Sequence, residues 1–124
     1  MIPLTFFLGP LLARSEENVS NIPLVIVESP FSGDLTKNRL YLQKCLRDCI
    51  ERGESPYASH GLLPSALDEA TERRLGIEAG YAWWRAATKI AFYIDLGWSR
   101  GMNAAMERLT RDKYAMPFEV RRIL

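Results

Sequence analysis

Only two cysteines, Cys45 and Cys49, and one histidine, His60, occur in the 124 residues. That leaves too few soft ligands for a zinc site built from Cys and His. The two cysteines stand four apart in an apolar helical pattern with Leu42, Leu46 and Ile50. Such spacing does not aim their Cβ atoms at each other for a relaxed disulfide, so both are predicted to be reduced core thiols. Charge of one sign is not in excess either: 16 basic against 15 acidic side chains leave a formal net charge of +1. No global electrostatic footprint for a nucleic-acid polymer results. Nor is there a long apolar run. Met1 to Leu12 is apolar but too short to span a bilayer, and it contains Pro3 and Pro10. It also lacks the basic start and small-residue cleavage pattern of a secretory signal. No membrane association is expected, and the expected location is cytoplasmic. Residues 1–22 read as a peripheral arm, extended along a sheet edge or mobile.

With 48% hydrophobic residues, the remainder, 23–124, suits one domain with a sizeable core. Leu24 to Val27 is a buried-strand pattern that breaks into Glu28-Ser29-Pro30-Phe31-Ser32-Gly33-Asp34. Asp34 or Thr36 can cap a helix that carries Leu40, Leu42, Cys45, Leu46, Cys49 and Ile50 inward and ends at Gly53. Ser55 to Ser59 suits a minor strand, and His60 to Pro64 a loop. A second helix is predicted from between Leu67 and Thr71 to about Ala87, with Ile77, Tyr81 and Trp84 sharing a face. Gly76 and Gly80, four apart on it, predict a close approach to another element. Lys89 to Asp95 is a central parallel strand, followed by the loop Leu96 to Gly101, a helix from Met102 to Thr110 or Arg111, and a last strand from Phe118 to Ile123. Alternating strands and helices predict an α/β fold.

Both clear strands end in an acidic residue and a small-residue loop. In a parallel sheet these carboxyl ends share one edge, so Ser29 to Gly33 and Asp95 to Met102 are expected to face one crevice, with His60 near it. Unpaired backbone N–H groups and the positive helix ends there suit a phosphate or carboxylate.

Taken together, Val27-Glu28-Ser29-Pro30-Phe31, the Ser59-His60 loop, Ala82-Trp83-Trp84-Arg85-Ala86-Ala87 and Gly97-Trp98-Ser99-Arg100-Gly101-Met102 resemble the nucleoside 2-deoxyribosyltransferase-like superfamily, and in particular its small bacterial and phage members. The resemblance spans roughly Pro23 to Leu109. It implies a flavodoxin-like three-layer sandwich with a mostly parallel sheet of four to five strands. It also implies a pocket for a small-molecule nucleoside or nucleotide, cleavage or transfer of its N-glycosidic bond, no metal or organic cofactor, and a homo-oligomer that completes the pocket. The matching loop positions are Ser29, Phe31, Ser32 and Gly33, with Ser99, Gly101 and Met102; Trp98 can stack on a base, and His60 can contact phosphate.

The catalytic pattern departs from the family. The glutamate expected on the first turn after the second loop falls on Asn103, and an amide cannot serve as that nucleophile. The helix aspartate falls on Gly80. Glu78 stands two residues away, about 200° around the helix. Glu78, Asp95 and Asn103 are therefore the candidate catalytic positions, and two functions stay open: a nucleotide N-glycosidase or deoxyribosyltransferase, and a noncatalytic nucleotide-binding protein. Simpler structural roles stand beside these. Glu28 and Asp95 can merely end strands or pair with arginines, Trp83 and Trp84 can be packing or interface residues, and Arg100 a surface cation.

Overall fold

The computed structural model describes residues 19–111 and 116–124; the expected arm therefore lies outside the described residues up to residue 18. Four strands, β1 (Leu24–Glu28), β2 (Ser55–Tyr57), β3 (Lys89–Tyr93) and β4 (Phe118–Arg121), form one sheet in the order β2-β1-β3-β4. All three pairings are parallel, with Ile26 beside Ile90 and Ile90 beside Phe118. The connections are α1 (Leu35–Glu51), α2 (Ser59–Leu62), α3 (Glu69–Ala82) and α4 (Arg100–Arg111), with 3₁₀ turns at Leu63–Ala66 and Trp83–Ala86. The architecture is the flavodoxin-like three-layer α/β fold.

Strand alternation builds two cores. Val25, Val27, Ala91 and Tyr93 face Tyr41, Leu42, Cys45 and Cys49 of α1. Ile26, Ile90 and Phe92 face the other way, onto Trp84 and onto Met102, Ala105 and Leu109 of α4. A strand covered on both faces reads as a continuous apolar run, which is why β1 and β3 stand out in the sequence. Cys45 and Cys49 are free and buried, and burial pushes both thiols upward in pKa, as befits packing groups.

Local chemistry starts and stops the helices. The Asp34 carboxylate accepts from the Lys37 amide at the start of α1, and Gly53, at φ +81°, ends it. Asp68 caps α3 by accepting from the Ala70 amide, while its own N–H donates to Glu72, a reciprocal capping arrangement. Ser99 caps α4 through Oγ, which accepts from the Met102 amide at 3.1 Å. Three sequence expectations change. Leu40 and Ile50 of α1 are exposed instead of facing inward. Residues 59–66 form a short helix and a 3₁₀ turn instead of a loop, and the long second helix gives way to 3₁₀ geometry after Ala82.

Candidate functional site

In a sheet of order 2-1-3-4, the first connection leaves β1 toward one side and the one from β3 toward the other, so the carboxyl ends of β1 and β3 border a natural crevice. A cavity of about 550 Å³ occupies it, within the size range of small-molecule sites. Glu28 and Ser29 come from the end of β1, Phe31 and Ser32 from the loop after it, and Ser99, Arg100 and Gly101 from the start of α4. Ser59 and His60 enter from α2, and α3 closes the far side.

The α3 wall follows helical spacing. Glu69, Arg73, Gly76, Ile77, Gly80 and Tyr81 line the cavity, at intervals that put them on one face. Both glycines serve close approach. A Cβ on Gly80 would lie 2.6 Å from Ser59 Oγ and 2.8 Å from Ser59 Cβ, and one on Gly76 would lie 3.0 Å from Leu67 Cδ1. Gly80→Ala is therefore expected to displace Ser59 and cost about 1–3 kcal/mol, to be read as a lowered denaturation midpoint together with weakened ligand binding. An unchanged midpoint would mean that α3 can shift freely.

Three groups set the chemistry of the cavity floor. Glu28 is half-buried, and no ion pair or hydrogen bond engages its carboxylate among the described residues. Burial accordingly raises its pKa to about 8, leaving it a neutral acid at pH 7. Ser29 is buried, with Oγ 2.7 Å from His60 Nε2. Burial lowers the His60 pKa to about 4, so this imidazole is also neutral at pH 7. The floor thus holds an acid, a hydroxyl and an imidazole without net charge. Beside it, Tyr81 and Trp84 meet edge to face at 5.1 Å, and the Arg108 guanidinium sits 4.5 Å from the Tyr81 ring centroid, bracing an aromatic wall. Arg73 and Arg100 stand at the exposed margin.

The loop after β1 is fixed from below. Asn38, buried on α1, donates through Nδ2 to the carbonyls of Phe31 and Ser32 at 3.0 and 2.9 Å. Gly33, at φ +99°, then lets the chain turn into α1.

Of the residues singled out in the sequence, Ser29, Phe31, Ser32, His60, Ser99 and Gly101 converge on the cavity. Gly33, Trp98, Met102, Glu78, Asp95 and Asn103 are not among its lining residues. Met102 is core, because the 102, 105, 109 stripe of α4 faces the sheet. Trp98 lies on Phe92, with ring centroids 5.2 Å apart. Glu78 pairs with Arg74 on the exposed side of α3. Asn103 is exposed, and its backbone N–H donates to the Ser99 carbonyl. Asp95 is occupied structurally: its carboxylate accepts from the Tyr41 hydroxyl at 2.6 Å and from the Ile123 and Leu124 amides. Burial pushes its pKa up, but these hydrogen bonds win and hold it below the usual carboxylate range. In its place Glu28 is the carboxyl at the cavity floor.

A family model described as a domain of unknown function (DUF7768) matches residues 23–119, and the chain belongs to that family. Neither the curated proteins nor the solved structures include a match.

Proposed function

We propose that this DUF7768 domain binds a nucleoside or nucleotide in the cavity between β1 and β3 and hydrolyses its N-glycosidic bond, with Glu28 as the proton donor. The observation that carries the reading is the neutral Glu28 carboxyl, unpaired among the described residues, at the floor of an aromatic-walled cavity. A flat, uncharged base suits the Tyr81 and Trp84 wall. A phosphate suits the margin, where Arg73, Arg100, Ser32 and the start of α4 supply cations and donors.

An acid with a pKa near the working pH is both protonated and willing to release its proton. Glu28 would protonate the leaving base as the bond from its nitrogen to the anomeric carbon breaks. The carboxylate left behind then faces the oxocarbenium-like sugar and stabilises it electrostatically. Water adds to that carbon and returns a proton to Glu28, so the acid is regenerated. Ser29, held by His60, is placed to orient a sugar hydroxyl.

Binding without turnover is the second reading, favoured by the exposed position of Asn103 where a glutamate nucleophile would be expected. Incubation with a panel of deoxynucleoside monophosphates and chromatography of the free bases separates the two. Base release supports hydrolysis. A nucleotide-dependent rise in melting temperature without release supports binding alone, and neither effect refutes both.

A further inference from the structure

Helix α3 is attached to the protein differently from the other long helices. Helix α1 buries Asn38, Tyr41, Leu42, Cys45 and Cys49, and α4 buries Met102, Ala105 and Leu109, so each is fixed to one face of the sheet. Among the described residues of α3, Glu69 to Ala82, only Gly80 is buried. The helix packs on α2 and on the 3₁₀ turns that flank it, elements adjacent to it in the sequence.

Its anchors gather at the C-terminal end. There Gly80 lies against Ser59, and Tyr81 meets Trp84 edge to face with the Arg108 guanidinium over its ring. Toward the N-terminus the Asp68 cap and the approach of Leu67 to Gly76 hold the helix, and both partners precede it directly in the chain. The ion pairs of α3, Glu69 with Arg73 at 3.1 Å and Arg74 with Glu78 at 3.0 Å, are internal to it. They stiffen the helix without tying it to the sheet. An element with little buried surface and local contacts separates from the body far more readily than the whole chain unfolds.

The cavity-facing side shows what closure would meet. Ile77 lines the cavity yet is 44% exposed, and Arg73 and Glu69 line it one and two turns nearer the N-terminus. An apolar side chain open to a cavity is stabilised when a ligand surface covers it. We propose that α3 is a lid on the cavity, swinging as a stiff helix about its anchored Gly80 and Tyr81 end. Outward it admits a nucleotide; inward it lays Ile77 on the sugar and brings Arg73 from Glu69 to the phosphate. The inward half rests on the nucleotide reading above, whereas the independent freedom of α3 does not.

Amide hydrogen exchange of the full chain across low urea concentrations, read residue by residue, tests both halves. Without nucleotide, the amides from Arg73 to Ala82 are expected to exchange at least about 10²-fold faster than those of β1 and β3, with weak urea dependence because little surface opens with them. Rates shared with β1 and β3 and steeply urea-dependent would overturn the lid. The second half uses Glu28→Gln, to prevent turnover, and a deoxynucleoside monophosphate that raises its melting temperature. Nucleotide held by α3 must leave before the lid opens, so the α3 amides should slow by as large a factor as those of β1 and β3. Slowing in β1 and β3 with α3 unaffected would overturn the lid while leaving nucleotide binding intact. If no deoxynucleoside monophosphate raises the melting temperature, the function proposed above fails, and independent opening of α3 still supports the lid.

Discussion

Glu28→Gln is expected to slow base release by about 10²–10⁴-fold, the usual contribution of a positioned acid, while a nucleotide still raises the melting temperature of the variant. Gln keeps the shape and the hydrogen-bonding capacity but has no proton to give. The same substitution is expected to stabilise the protein in alkali. Burial raises the Glu28 pKa from 4.5 to about 8, so between those values the folded state holds a proton that the unfolded chain releases. Wild-type stability therefore falls as pH climbs through that window. Gln is neutral throughout, so the variant should gain a few kcal/mol over wild type above about pH 8 and nothing from this source below about pH 4.5. Urea denaturation at both ends of the range, alongside the release assay, reads both effects. Unchanged turnover would remove Glu28 from the mechanism, and a stability difference independent of pH would remove its buried proton.

Arg121→Ala is expected to cost about 3–5 kcal/mol, the penalty for orphaning a buried charge, and to lower the melting temperature by roughly 10–20 °C. The side chains of Arg121 and Glu54 are 3% and 6% exposed. They meet through two parallel bonds of 2.8 Å, and Arg121 also donates to the Tyr93 hydroxyl at 2.9 Å and to Glu119 at 2.8 Å. Burial alone would raise the Glu54 pKa, but Arg121 and Lys89 outweigh it and bring it down to about 2. The pair therefore stabilises the fold above about pH 4.5, and that contribution is lost as pH falls toward 2. The gap between wild type and variant should shrink over the same interval in thermal melts, and a gap of constant size would show that the ion pair is not its source. Because this network lies beneath α1, away from the cavity, the variant's folded fraction should still bind nucleotide.

The order of strands and helices was legible because local signals agreed: apolar runs for β1 and β3, Asp34 and Asp68 as caps, and glycines at the turns. Four-residue α2 was not, since so short a helix has no periodicity to detect. The two loops of the cavity were legible for the same reason as the strands that feed them. Gly76 and Gly80 correctly signalled a close approach, and the cavity stripe from Glu69 to Tyr81 could have been found from its helical spacing. Asp95 and Glu28 were harder to tell apart, as each ends a strand. What separates them is distant in sequence: the amides of Ile123 and Leu124 and the Tyr41 hydroxyl claim Asp95, whereas no hydrogen bond or ion pair among the described residues claims Glu28. Contacts 28 to 54 residues apart leave no mark on a local pattern.

The most direct measurement is amide and side-chain chemical-shift mapping of the isotope-labelled protein during titration with a deoxynucleoside monophosphate. Occupancy of the β1–β3 cavity predicts saturable shifts centred on Glu28, Ser29, Ser32, His60 and Ser99, with the Glu28 carboxyl carbon moving as its proton is engaged. Shifts absent from those residues at saturating nucleotide, or confined to the β4 edge, would contradict it.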